Sequence, residues 1–257
     1  MRIGLITGEY PPMKGGVGAF THELSVALAH LGHEVHVITR VGSEVNRSLH
    51  ATCAAGAAFT VHPVAAGWGW RSVRQIMALA DRLSLAALNF QYQAAAFDLH
   101  PAINFSSFLM PSSAVHPTVV TFHDLNVPYL FPKAGPLRER VVTLLARRAD
   151  AAIATNRADE LELTARRARR VERIPIGSNI KPTLPDDYNR ETWRAGLGIT
   201  PEKILLGFFG FFNERKGVET LIRALAALDP TYHLLFIGGT IGSSDPTNRA
   251  YADLMTT

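Results

Sequence analysis

The stretch Gly8-Glu9-Tyr10-Pro11-Pro12-Met13-Lys14-Gly15-Gly16-Val17-Gly18 decides how the rest of this chain is read. Before it, Arg2 to Thr7 has the apolar run of a buried parallel strand; after it, Phe20, Leu24, Ala27, Leu28 and Leu31 recur with helical period from about Ala19. Gly32 marks the helix end, and Glu34 to Thr39 forms a second strand, which completes a βαβ unit. Glycine places no Cβ in the way of a ligand, and the first helical turn offers unpaired N–H groups with a partial positive charge. The turn therefore reads as an anion-binding corner at the carboxyl end of strand one, the edge at which open α/β sheets hold ligands.

The same alternation continues outward. Residues 43–66 are Ala-rich, with one strand expected at Phe59 to Val64; Ser72 to Phe97 has helical composition, and Ala102 to Phe108 reads as a short strand or loop. Thr118 to Phe122 is a β-branched strand with His123-Asp124 at its carboxyl end. Helices are expected at Pro136 to Arg148 and Asp159 to Arg169, and strands at Ala151 to Thr155 and Val171 to Ile176. Residues 1–180 thus predict an α/β fold, a complete Rossmann-like parallel sheet with helices on both faces. Pro182, Pro185, Asp186 and Asp187 mark 181–189 as a linker. A second cycle follows in 190–257: helix Arg190 to Leu197, strand Ile204 to Phe209, loop Gly210 to Gly217, helix Val218 to Leu228 and strand His233 to Ile237. A free-standing α/β domain typically needs ~100 residues or more, so an incomplete second Rossmann-like domain, and hence a truncated chain, is expected.

An apolar share of 47% and a charged share of 19% suit a soluble globular protein with an ample core. No apolar run reaches the ~18 residues of a membrane span, and the start lacks the pattern of a signal peptide. Cys53 stands alone, which excludes an intrachain disulfide and a cysteine zinc cluster and fits a reducing cytoplasm. The net charge of +4 is uneven, since residues 1–180 hold 18 Lys and Arg against 13 Asp and Glu. Much of the excess lies in Arg166, Arg167, Arg169 and Arg170 and in Arg138, Arg140, Arg147 and Arg148, with Val141, Val142, Leu144 and Leu145 between the latter. Such a basic amphipathic helix suits either a solvated face or peripheral contact with an anionic membrane on its cytoplasmic side. Nucleic acid is not an expected partner, because no zinc-finger, KH or RNP pattern accompanies the charge.

Three nucleotide chemistries compete for the first loop. A dinucleotide site has Gly16-x-Gly18 in its favour, but Thr21 replaces the third glycine and Arg40 replaces the acid after strand two. An NADP-dependent oxidoreductase using Arg40 for the 2′-phosphate is the minor form of that reading. A Walker loop is excluded, because Lys14 has the wrong spacing from Gly8 and no Ser or Thr follows it. What remains is a sugar-nucleotide site shared by two domains.

Four segments carry a resemblance to family 4 of the retaining glycosyltransferases, which has the GT-B architecture of two Rossmann-like domains. They are Gly-Glu-Tyr-Pro-Pro with Gly15-Gly16-Val17-Gly18, Val-Val-Thr-Phe-His-Asp at 119–124, Ile174-Pro175-Ile176-Gly177-Ser178-Asn179, and Phe209-Gly210-Phe211-Phe212-Asn213-Glu214-Arg215-Lys216-Gly217. The resemblance implies sugar transfer from a nucleotide-diphosphate sugar to a glycan, lipid or small-molecule acceptor. Lys216, with Asn213 and Arg215, would bind the donor from one side, and Gly15 and Gly16 would close over it from the other. His123 would stand near the reacting sugar with Asp124 beside it, and Tyr10, Lys14, Tyr92 and Gln93 would face the acceptor. No cofactor is implied beyond the donor substrate, and the lack of any Asp-x-Asp points to a metal-independent reaction. Two features depart from the family. Phe211 stands where Arg is usual, and the Glu-x7-Glu segment that holds the donor would lie beyond Thr257, so residues 1–257 alone are expected to transfer sugar poorly or not at all. The alternative is a noncatalytic Rossmann-like module that binds an acceptor, a membrane surface or a partner.

Overall fold

A computed structural model of the chain describes residues 1–42, 49–52, 58–106, 116–125, 136–180, 182–212, 214–239, 251 and 253–255. The chain divides into two compact units, Met1–Asn179 and Ile180–Thr257. The first is built on a sheet of eight strands in the order β3-β4-β2-β1-β5-β6-β7-β8. The strands are β1 (Arg2–Thr7), β2 (Glu34–Arg40), β3 (Leu49–Thr52), β4 (Ala58–Ala65), β5 (Ala87–Tyr92), β6 (Thr118–Phe122), β7 (Ala151–Ala154) and β8 (Val171–Arg173). Seven run parallel, and the edge strand β3 runs antiparallel to β4.

Alternation along each strand feeds two cores. Leu5 of β1, Val35 and Val37 of β2 and Phe59 and Val61 of β4 pack with Leu24, Val26 and Leu28 of helix α1 (Gly16–His30) on one face. Ile6 and Ile38 point the other way, to a core that includes Val73, Ile76 and Met77 of α2 (Trp70–Leu83) and Val142 and Leu145 of α3 (Pro136–Arg148). A parallel sheet covered on both faces is the layering that βαβ connections produce. After β1 the chain steps to β2, then returns through α2 to β5 on the opposite side of β1. That reversal places a topological switch point at the carboxyl ends of β1 and β5.

Among its described residues the second unit has two parallel strands, β9 (Ile204–Phe209) and β10 (Tyr232–Ile237), in register from Ile204 opposite Tyr232 to Phe209 opposite Ile237. Helices α5 (Arg190–Gly196) and α6 (Val218–Ala226) belong to it, and Phe212 and Val218 form its core with Phe208, Ile222 and Phe236. Buried Arg194 donates to the carbonyls of Thr200 at 3.3 Å and Lys203 at 2.6 Å, which ties α5 to the turn before β9.

Several expectations are corrected. The segment Ser72 to Phe97 is a helix ending at Leu83 followed by the central strand β5, with Ser84 in a left-handed conformation (φ 50°) at the break. Most of the Ala and Leu residues that suggest a helix flank the strand, and within it tertiary pairing with β1 and β6 decides the conformation. The basic run at 166–170 is not a helix, because α4 (Arg157–Ala165) stops before Arg167 adopts φ 63°. Ala102 to Phe105 lies in turns, and Phe108 falls outside the described residues. In α3 the apolar residues Val142, Leu145 and Ala146 are buried against the sheet, so core packing accounts for its amphipathic pattern. The nearby arginines find carboxylates: Arg166 pairs with Glu162 at 2.6 Å, Arg170 with Glu172 at 3.2 Å and Arg173 with Glu160 at 3.0 Å. No described helix is long and apolar enough to cross a membrane.

Candidate functional site at the carboxyl edge of the sheet

The first wall of the site is the β1–α1 turn. Helix α1 begins at Gly16, three residues before the expected start, and its cap is an internal carboxylate. Oε1 of Glu9 accepts from the backbone N–H of Val17 at 3.0 Å and of Gly18 at 3.2 Å. Glu9 is 1% exposed, and its Oε2 has no partner among the described residues. A Cβ on Gly15 would lie 2.0–2.2 Å from the Glu9 carboxyl atoms, so a side chain there would have to displace that carboxylate. A Cβ on Gly16 would meet nothing within 4 Å. The corner does bind an anion, but the anion at two of its amides is the protein's own side chain. Sequence reasoning missed Glu9, although an acid shortly before a helix start is the charge that a helix N-terminus favours.

The second wall is at β5 and β6. The backbone N–H of His123 donates to the Tyr92 carbonyl at 3.0 Å, which extends the β5–β6 ladder by one residue. Nε2 of His123 donates to Oε1 of Gln91 at 3.0 Å, leaving Nδ1 as the acceptor atom of the neutral ring. The ring meets Phe20 of α1 edge-on, with centroids 4.9 Å apart. Burial lowers the His123 pKa to about 4, against the opposing effect of the Asp124 charge, so the imidazole is neutral at pH 7. Gln93 donates from Nε2 to Oδ2 of Asp124 at 3.1 Å. His123, Asp124, Gln91 and Gln93 therefore form one polar cluster, able to accept and donate hydrogen bonds to a hydroxylated ligand but carrying no permanent cation. Gln91 was missed because β5 was read as helix; as the fully buried amide of a strand, it would have been the signal.

Other expected residues are placed differently. Tyr92 is 1% exposed and its hydroxyl accepts from Asn104 at 2.7 Å, so it packs in the core instead of facing an acceptor. Tyr10 is buried, with its hydroxyl 3.0 Å from Nδ1 of His22, while Lys14 is exposed on the loop. Arg40 pairs with Asp98, which engages the guanidinium that a 2′-phosphate would need. Among the described residues, no group of three or more His, Cys, Asp or Glu side chains is placed to hold a metal ion.

In the second unit, β9 is followed by Gly210, whose φ of +133° disfavours a side chain. A Cβ there would lie 2.5 Å from Nζ of Lys216, so the ammonium is folded over the backbone at the strand's carboxyl end. Gly217 in the left-handed region (φ 69°) then starts α6. An exposed lysine and a helix N-terminus thus meet at one strand end, with the charge needed for phosphate. Asn213 and the Arg215 side chain lie outside the described residues.

A Rossmann-like sheet with polar groups at its switch point is followed by a second unit in which α5 precedes a strand, a lysine loop and a helix, an arrangement shared with glycosyltransferases of the GT-B class. The chain belongs to the glycosyl transferase 4-like domain family, whose model matches residues 15–177. A glycogen synthase of Mycobacterium tuberculosis is 47% identical over 51 residues, which is 20% of this chain and 12% of that one. Sucrose-phosphate synthase from Thermosynechococcus elongatus superimposes with a TM-score of 0.71 at 21% identity, covering 100% of this chain and 67% of that one. HepE of Anabaena, in complex with UDP, gives 0.65 at 20% identity, with 100% and 65% covered. The catalytic domain of starch synthase IV from Arabidopsis thaliana, bound to ADP and acarbose, gives 0.62 at 13% identity, with 98% and 71% covered. The chain therefore spans about two thirds of the length of the structures it resembles.

Proposed function

We propose that the protein is a retaining, metal-independent glycosyltransferase that moves a sugar from a nucleotide-diphosphate sugar to a hydroxyl acceptor. The observation that carries this reading is Lys216 folded over Gly210 at the end of β9, in a chain whose first unit belongs to a glycosyltransferase family. Residues 1–180 serve the acceptor, 181–189 link, and 190–257 serve the nucleotide sugar. Breaking the sugar–phosphate bond leaves negative charge on the diphosphate, which a preorganised cation stabilises. A charge pair at ~4 Å and an effective dielectric of ~20 contributes ~4 kcal/mol before desolvation. At the α1 N-terminus, the Glu9 carboxylate would repel a second anion on the same scale, so the diphosphate is assigned to Lys216, with Asn213 and Arg215 beside it. Gly15 and Gly16 are left to approach the donor sugar as neutral backbone. His123 and Asp124 accept hydrogen bonds from sugar hydroxyls, and Gln93 orients Asp124. The HepE structure with UDP and glucose, although only 20% identical, supports a uridine nucleotide as the first donor to try.

Calorimetric titration with UDP, GDP, UDP-glucose, GDP-mannose and NADPH tests the reading. A nucleoside diphosphate or its sugar should bind, and Lys216→Ala should weaken that binding ~10- to 100-fold, the range of one charge-assisted hydrogen bond. Binding of NADPH alone would overturn it in favour of an oxidoreductase.

A further inference from the structure

We infer that Trp70, with Phe105 and His100, forms a stacking subsite for a saccharide ring, and that the acceptor of the transfer is therefore a carbohydrate. This rests on the glycosyl transfer proposed above. The loop that presents Trp70 leaves β4 at Ala65 and enters α2, and it is pinned from several sides. The Trp68 indole N–H donates to the Gly8 carbonyl at 3.2 Å, and the Trp68 backbone N–H donates to Oδ2 of Asp98 at 3.4 Å. Ser72 Oγ accepts from the Gly69 N–H at 3.0 Å and donates to the Gly69 carbonyl at 2.6 Å. On this stiff support Trp68 is 2% exposed, whereas Trp70, two residues on, is 49% exposed.

The exposed indole is not a lone surface apolar residue. Its ring lies 6.1 Å from Phe105 at an interplanar angle of 38°, and 6.4 Å from His100 at 82°. His100 Nδ1 accepts the N–H of Ala102 at 3.1 Å, so in the neutral ring the proton sits on Nε2, on the side facing Gly69, where a Cβ would lie 3.8 Å away. Two residues before His100, partly exposed Asp98 pairs with Arg40 and supplies a carboxylate and a guanidinium. Arg40 is the last residue of β2, and Trp70 and Asp98 follow the carboxyl ends of β4 and β5, the same sheet edge that carries Glu9 and His123.

An aromatic face with an imidazole N–H donor next to it matches a sugar ring, which has an apolar C–H face and hydroxyls that both donate and accept. The Arg40–Asp98 ion pair at the same sheet edge keeps the surroundings polar, which disfavours an alkyl chain. The four residues first expected to face the acceptor include two, Tyr10 and Tyr92, that are buried, whereas Trp70 is, among the described residues of this unit, an aromatic side chain left half exposed.

The test uses Trp70→Ala and Trp70→Phe in the protein, with glucose, fructose, maltotriose and cellotriose as probes and the nucleotide titration as control. With Trp193→Phe as background, Trp70 is the half-exposed indole that remains. A saccharide should change the tryptophan emission in that background and not after Trp70→Ala. Trp70→Ala should raise the acceptor KM about tenfold with nucleotide affinity and Tm unchanged, and Trp70→Phe should recover most of the loss, since an aromatic face is what the site supplies. An unchanged acceptor KM in Trp70→Ala, or transfer only to a noncarbohydrate acceptor, would overturn the inference while leaving glycosyl transfer in place. Loss of nucleotide binding in the unmodified protein would instead remove the reading on which it rests.

Discussion

Replacing Glu9 tests whether the glycine-rich corner is closed by the protein itself. Oε1 of Glu9 accepts two N–H groups of the first turn of α1, at 3.0 and 3.2 Å. Hydrogen bonds to a charged group contribute ~1.5–3 kcal/mol each, and neutral ones ~0.5–1.5. Glu9→Gln keeps the acceptor and loses the charge, so it should cost ~1 kcal/mol per bond, or about 2 kcal/mol in all. Glu9→Ala leaves two amide donors without their acceptor at ~1–3 kcal/mol each and removes the packing on Gly15, for about 4 kcal/mol. The partnerless Oε2 already costs some desolvation, which holds both figures to the middle of their ranges. At ~2–4 °C per kcal/mol for a unit of this size, the thermal transition of the first unit should fall by about 6 °C in Glu9→Gln and about 12 °C in Glu9→Ala. Calorimetry at pH 7 reads these shifts directly. A Glu9→Ala protein within ~0.5 kcal/mol of the parent, the range of an ordinary surface substitution, would refute the reasoning.

The two glycines of the turn should separate. Gly15→Ala collides with the Glu9 carboxylate and should lower the same transition, whereas Gly16→Val, directed into open space, should leave the fold intact and reduce transfer; a matching loss of stability in both would contradict the assignment. His123 should make stability depend on pH. Its folded pKa of about 4 lies below the ordinary 6.5, so the unfolded chain binds the proton first, and stability present above pH 6.5 is lost as pH falls toward 4. The separation between the two values corresponds to about 3 kcal/mol in full, of which about 2 kcal/mol should appear as the difference between urea unfolding at pH 7 and at pH 4.5 and should vanish in His123→Asn. Transfer by the full-length protein should persist in EDTA; activity abolished by chelation and restored by Mg²⁺ or Mn²⁺ would count against the metal-independent reading.

Much of the fold was legible because parallel strands and helices write different periods. Arg2 to Thr7, Glu34 to Thr39, Thr118 to Phe122 and Ile204 to Phe209 were all readable as strands. The failure at 72–97 arose where a central strand, Ala-Leu-Asn-Phe-Gln-Tyr, has a composition that also suits a helix; its pairing with β1 and β6 is nonlocal and leaves no local mark. The site was legible in outline. His123 and Asp124 could be placed at a strand end and Lys216 in a glycine-bounded loop, because turn chemistry is local. The partners of those residues were not. Glu9 capping α1, Gln91 holding His123 and Gln93 holding Asp124 depend on side chains brought together by tertiary packing, across 8 to 32 positions in the sequence. Tyr92 shows the converse error, a polar aromatic that looks like a ligand contact until Asn104 is found on its hydroxyl.

The reaction proposed is sugar transfer with retained configuration. Proton NMR of the anomeric signal during turnover of the full-length protein with a nucleotide-diphosphate sugar and its acceptor reads it. The first-formed product should have the anomeric configuration of the donor sugar, and the transfer rate should fall sharply in Lys216→Ala. A product of inverted configuration, or transfer unaffected by the loss of Lys216, would contradict it.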